Sequence, residues 1–240
     1  MNSKIQNRIE KNEMILSSIV NTYFLADQNQ KLFGQLLDNP DLLTRWDDSY
    51  AVNGVNCIRF SLYMYVLSEM RAILFDTHKK VASIHNVLNS LEDEKFLNQL
   101  RKWFCDTSQK EILSFDGTLP EEEKDYFRAE DSKLKAIWFD KLLEQATTNY
   151  EVLLTSEIGS RVNNARNKMI SHKEFQSADG LGRRVFEAND FGLVYSDAKG
   201  IIEMSHDIIF PLYSLFTKSH FDSNNSMNHH EIVAKKFWAK

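Results

Sequence analysis

Arg166, Asn167 and His172 lie within one seven-residue run, Arg166-Asn167-Lys168-Met169-Ile170-Ser171-His172. A permanent cation, an amide and an imidazole at this spacing form a minimal set for cleaving a phosphodiester without a metal. The planar guanidinium fork holds and neutralises a phosphate. Histidine gives or takes a proton near neutral pH without help from its surroundings. The same residues also allow a plainer chemistry. His172 then caps the last carbonyls of a helix or fills a core edge, and Arg166 pairs with Glu69 or Asp76.

Thr155 or Ser156 is placed to cap a helix that carries the run. From Glu157 to His172, the residues Ile158, Val162, Ala165 and Met169 recur at helical spacing and make a narrow apolar stripe. His172 continues that stripe. Arg166 sits about 100° round from Ala165, so it lies roughly 120° from His172. One straight helix therefore does not converge the groups. They meet if the helix ends near Ser171 and swings the imidazole, or if the arginine reaches back across the turn. They also meet if two copies of the helix join at a two-fold axis, which brings two cations and two histidines to one phosphate.

The elements that must position this run read as helices. Only 8 Gly and 3 Pro in 240 residues argue for long helices with short connections. Ile5, Ile9, Leu16, Val20, Phe24, Leu32, Phe33 and Leu36 predict a long first helix, broken near Asn39-Pro40, with Asp41 capping a short turn that ends near Trp46-Asp47-Asp48. A second helix is predicted from about Val52 to Thr77, with Ile58, Leu62, Tyr65 and Ile73 on its stripe. Glu69 and Asp76 fall on that stripe as carboxylates that need a cationic partner if buried. Short helices follow from Ser83 and from Glu92 to Phe104. An exposed loop is expected over Ser114 to Glu123. Tyr126 to Tyr150 reads as helix with Leu134, Ile137, Trp138, Leu142 and Ala146 on one side. Phe175 to Gly192 contains no long helix. A last long helix, capped by Ser196 or Asp197, runs to about Phe216 and contains Pro211. The expected division is a helical domain over 1–218 and a polar tail over 219–240 that ends in a short amphipathic helix.

Composition narrows the class. Apolar residues at 42% and charged residues at 26% are ordinary for a globular protein with a core. The net charge of −5 disfavours a broad nucleic-acid-coating surface, yet leaves room for a small basic cleft. Cys57 and Cys105 are the two cysteines. They make no disulfide framework and read as buried free thiols in a reducing cytoplasm. The polar start, Met1 to Arg8, has no signal-peptide core, and no apolar run approaches membrane-spanning length. His220, His229 and His230 read as a solvated tail. With no His-Glu-x-x-His or paired Cys-x-x-Cys, neither a metal nor a cofactor is expected. Gly180-Leu181-Gly182-Arg183-Arg184 reads as a turn whose arginines are free to meet an RNA backbone.

The run also carries a resemblance. Arg-Asn-x-x-x-x-His late in an all-helical domain resembles the signature of the HEPN superfamily. The string Ala165 to His172, with a carboxylate two positions on at Glu174, is similar to the abortive-infection AbiU-type branch, where an aspartate is more usual at that place. Leu67-Ser68-Glu69-Met70-Arg71-Ala72-Ile73-Leu74-Phe75-Asp76, followed by Ser83-Ile84 and Leu88, is similar to that branch's second helix and the turn after it. The resemblance implies an all-α, up-and-down helical bundle that dimerises. It implies a metal-independent endoribonuclease acting as a toxin or phage-defence effector on RNA, using the ribose 2′-hydroxyl as nucleophile. Arg166 would then stabilise the phosphorane, His172 serve as general base or acid, and Asn167 orient the phosphate or imidazole. Glu69, Lys168 and Glu174 are the supporting positions. Further partners implied are a cognate antitoxin or a nucleotidyltransferase. In one branch such an enzyme modifies a tyrosine two residues after the histidine, where this chain has Glu174. Two other readings keep the fold without turnover: an RNA- or partner-binding module, and a purely structural helical dimer.

Overall fold

The computed structural model describes residues 3–46, 49–108, 119–165, 175–178, 182–185 and 188–239. Helix α1 spans Ser3–Asp38, α2 Pro40–Thr44, α3 Ala51–Phe75, α4 Ile84–Leu91, α5 Glu94–Cys105, α6 Glu121–Thr155, α7 Glu157–Ala165, α8 Ser196–Thr217 and α9 Ser223–Trp238. The architecture is the expected all-α bundle. One small antiparallel hairpin is added, with β1 at Phe175–Ala178 and β2 at Gly182–Val185, and a 3₁₀ turn follows at Ala188–Phe191. Phe175 pairs with Val185 and Ala178 with Gly182, so Gly182, Arg183 and Arg184, expected in a turn, instead lie in strand β2, while Gly180 and Leu181 lie outside the described residues. Among the described residues no helix is long and apolar enough to cross a membrane.

The long helices alternate in direction. Phe33 meets Tyr195 while Tyr23 meets Phe210, so α1 and α8 run antiparallel. Phe33 also meets Tyr63 of α3, and Arg8, near the other end of α1, bonds the carbonyl of Ser90 at the end of α4, so the chain from α3 through α4 runs back along α1. One core joins them, filled by Leu16, Ile19, Tyr23 and Phe33 of α1, Val66, Leu67, Met70 and Leu74 of α3, Phe139 and Ala146 of α6, and Ile201 to Phe216 of α8. The breaks follow local chemistry. α1 stops before Asn39-Pro40 because proline disfavours a helical residue ahead of it. Ser83 accepts the Asn86 N–H to start α4, and Asp93 accepts the Lys95 and Phe96 N–H groups to start α5. α2 begins on Asn39, and Asp41 lies inside its first turn rather than capping it.

Several expectations shift. The buried face of α3 carries Tyr63, Val66, Met70, Ile73 and Leu74, whereas Ile58 is half exposed. On α6, Leu134 and Ile137 face water, and the buried row is Phe139, Leu142, Ala146, Tyr150 and Leu153. Cys57 is exposed on the outer face of α3, and Cys105 is only partly covered. In each case apolar residues lie on more than one face of a long helix, so periodicity does not set the phase of burial.

The stretch from residue 219 holds more structure than a polar tail. Helix α9 starts at Ser223, after the Asp222 cap, and packs along α1. Its anchors are largely polar. The His230 ring nitrogen Nδ1 lies 2.8 Å from Asp27 Oδ2, Gln35 donates to Glu231, and the Trp238 indole donates to the Leu32 carbonyl. His230 is thus a packed residue rather than a solvated one. Asp27 is fully buried, and its Oδ1 has no hydrogen-bond partner among the described residues. Burial pushes the Asp27 carboxyl up, against the pull of His230 and Lys31. A carboxyl raised in the folded state contributes stability at low pH and loses it as the pH rises through the folded value. Asp27→Asn removes that penalty and keeps an oxygen for His230. The stability of Asp27→Asn relative to the unsubstituted protein is therefore expected to improve as the pH rises from about 4 toward neutrality. Urea unfolding across that range measures it, and a pH-independent difference would refute the assignment.

Candidate functional site

α7 is the helix that leads into Arg166, and its placement is built residue by residue. Ser156 ends α6 and starts α7. Its extended backbone breaks the helix, its hydroxyl donates to the Leu153 carbonyl at 2.8 Å, and the same oxygen accepts the Gly159 N–H at 3.0 Å. Of the two capping residues the sequence offered, Ser156 does the work, while Thr155 donates back into α6. Glu157 adds a negative charge at the first turn. Gly159 approaches α6 so closely that a Cβ there would collide with the Leu153 carbonyl. Gly159→Ala is expected to lower stability by about 1–3 kcal/mol, read as a lower midpoint in thermal or urea unfolding. An unchanged midpoint would mean the helix junction yields freely.

Two side-chain bridges hold the helix from other directions. Arg161 forks onto Asp197 of α8, with Nη2–Oδ1 at 2.7 Å and Nε–Oδ2 at 3.2 Å. Asp197 lies one residue inside α8, and its Oδ2 also accepts the Val194 N–H. The carboxylate's hydrogen bond to Arg161 holds that guanidinium further toward the charged form. From α3, Arg71 Nε donates to Asn163 Oδ1 at 3.2 Å, and its Nη1 lies 3.4 Å from Asp76 Oδ2. Asp76 Oδ1 in turn accepts the His78 N–H. Val162 and Ala165 are buried and Ile158 is partly covered, so the first three members of the expected stripe face the core.

Arg166, Asn167, Lys168, His172 and Glu174 lie outside the described residues. Glu69 is partly exposed on α3 and makes no hydrogen bond or ion pair with another described residue. Burial first, and Glu69 second, raise the pKa of the Tyr65 hydroxyl beside it. Asp76, the other carboxylate offered to Arg166, is engaged by Arg71. Asn163 and Arg161 were not singled out from the sequence, Arg71 stands there only within the string that is similar to the branch's second helix, and Asp197, expected with Ser196 as a cap of α8, lies inside the helix instead, with Tyr195 at the cap position. One signal was present, since Arg71 follows Met70 on the Leu67–Leu74 face and a buried guanidinium there demands an acceptor.

A second constellation invites a catalytic reading and does not sustain it. His206 Nε2 is 2.8 Å from Ser223 Oγ, and its Nδ1 is 3.0 Å from Asp207 Oδ1. Ser223 is buried, and the imidazole packs against the Phe210 and Tyr23 rings. No substrate carbonyl reaches that hydroxyl, so the trio fastens α9 to α8. Among the described residues no three metal-ligating side chains converge.

Comparison with known proteins agrees with the architecture. The family model for AbiU2, an HEPN family, matches residues 9–237, nearly the whole chain. No curated protein and no solved structure matches it. The chain belongs to the AbiU2 family, an abortive-infection branch of HEPN modules.

Proposed function

We propose that the protein is a metal-independent endoribonuclease that acts as a toxin or phage-defence effector, with its site in a cleft shared by two copies. The observation that carries this reading is the run Arg166 to His172, continuous with an α7 that is fastened to three neighbouring helices in a member of the AbiU2 family. Local charge supports it. Residues 161–184 contain six lysines and arginines against two acids, in a chain whose net charge is −5. That segment is the part of the protein suited to a polyanion.

In this reading one His172 takes the proton from the ribose 2′-hydroxyl, and the freed oxygen attacks the adjacent phosphorus. The bond to the 5′-oxygen breaks, and the other copy's His172 protonates that leaving group. The products are a 2′,3′-cyclic phosphate and a 5′-hydroxyl. Arg166 neutralises the charge that builds on the phosphorane oxygens, and Asn167 orients the phosphate or the imidazole. Lys168 adds positive charge nearby, while Glu69 and Glu174 are carboxylates able to hold Arg166 or His172 in place. DNA, lacking the 2′-hydroxyl, is not cut. The test is purified protein incubated with RNA in excess chelator, with a search for cyclic-phosphate ends. Binding of RNA without any cut product would replace this reading with a non-catalytic RNA-binding module, which the acidic net charge and Glu174 also accommodate.

A further inference from the structure

A cavity of about 690 Å³ opens between α4, α5 and α6, on residues no part of the site uses. Its floor is apolar, made by Leu88 and Leu91 of α4, Leu97 of α5, and Leu143, Tyr150 and Leu154 of α6. Its rim is acidic: Glu92, Asp140, Glu144 and Glu151. Arg101 forks onto Asp140 and satisfies that carboxylate. Glu92, Glu144 and Glu151 are exposed and have no ion-pair partner among the described residues.

The polar groups inside are already used as donors. The Tyr150 hydroxyl donates to the Leu74 carbonyl, and burial pushes its pKa up to about 12. Thr147 donates to the Leu143 carbonyl, and the His85 ring pairs with Asn89. A small polar ligand would find few directional contacts to fix it. What remains is a greasy floor and three unpaired negative charges.

The shape is that of a groove between two helix ridges. His85, Leu88 and Asn89 follow helical spacing on α4, and Glu92 is the residue that closes it. Asp140, Leu143, Thr147, Glu151 and Leu154 follow it on α6 over about 21 Å, enough for roughly four turns of a third helix. Leu154 is half exposed and extends the apolar track almost to Ser156, where α7 begins.

We propose that this groove docks an amphipathic helix of a partner protein, with an apolar ridge that fills the floor and lysines or arginines that meet Glu92, Glu144 and Glu151. This is recognition by helix in groove, with charge fixing which face and which partner. It stands whether or not the chain cuts RNA, and it places the partner against the last turns of α6, next to the helix that leads into Arg166.

The experiment uses the full chain and a dye-labelled helical peptide of about 16 residues, with leucines at helical spacing on one face and lysines flanking them. Fluorescence anisotropy is expected to give micromolar binding that weakens between about 50 and about 300 mM salt. Glu144→Lys/Glu151→Lys, two exposed positions whose change leaves the melting temperature in place, is expected to weaken binding at least ~10-fold. A peptide of the same composition in scrambled order, and one with glutamates for lysines, are expected to bind as weakly. The proposal is overturned if the peptide does not bind, if the double variant binds it as well, or if the scrambled peptide matches it, which marks a polycation effect only. Displacement of the peptide by benzyltrimethylammonium at low concentration would assign the groove to a small organic cation instead.

Discussion

Arg166→Ala is expected to lower RNA cleavage by about 10²–10³-fold, and His172→Ala by about 10²–10⁴-fold, with no change on adding chelator. The two losses have different origins. The arginine neutralises charge that exists only as the phosphorane forms, so its removal lowers the rate more than RNA binding. The histidine moves protons, and a reaction needing one imidazole neutral and one protonated gives a bell-shaped pH–rate profile. A site assembled from two copies also loses specific activity on dilution, as dimers part. Each outcome separates the proposal from its rivals. If the run is only a cap and a salt bridge, Arg166→Ala lowers stability by about 1–3 kcal/mol through an orphaned partner and no RNA is cut by any version. If the fold is a binding module, both variants and the unsubstituted chain bind RNA and none yields cyclic-phosphate ends. Full cleavage by either variant would remove that residue from the mechanism.

How much could be read from the sequence depended on whether the cause was local. The end of α1 at Asn39-Pro40, the Ser83 cap and the Ser156 junction were legible, because proline and capping hydroxyls act within a few residues. The phase of burial was not. The first half of α3 carries Val55, Cys57, Ile58, Phe60 and Tyr63 around its circumference, and only packing against α1 and α8 decides that Tyr63 goes in and Ile58 stays out. The closing amphipathic helix was legible, but not that it extends from Ser223 to Trp238. Its sequence reads as polar, yet His230 and Glu231 meet Asp27, Lys31 and Gln35, about 200 residues away, and those partners give the helix its seat. The candidate site divides along the same line. Ile158, Val162 and Ala165 announced the inner face of α7, whereas Arg71–Asn163 and Arg161–Asp197 join residues 92 and 36 positions apart. No local pattern links such pairs.

Arg161→Ala is expected to cost about 2–4 kcal/mol and to lower the unfolding midpoint by roughly 5–15 °C. The reason lies in Asp197, whose side chain is 2% exposed while that of Arg161 is 26% exposed. Without the guanidinium a buried carboxylate keeps, among the described residues, the Val194 N–H alone, and burying an uncompensated charge costs more than the pair was worth. The second contact of Arg161, to Glu157 at 3.4 Å on the surface, contributes little. Arg161→Lys keeps a charge but not the fork, so it falls between the two. The discriminating variant is Arg161→Leu/Asp197→Asn. It removes both charges, fills the same space, and leaves an oxygen for the Val194 N–H, so it is expected to recover at least half of the loss. Urea unfolding of the unsubstituted protein, Arg161→Leu, Asp197→Asn and the double variant measures this. If the double variant is as unstable as the sum of its parts, the pair is not what fastens α7 to α8. If it recovers stability, its RNA cleavage shows whether α7 needs this bridge to present Arg166, because Arg161 itself is assigned no contact with the scissile phosphate.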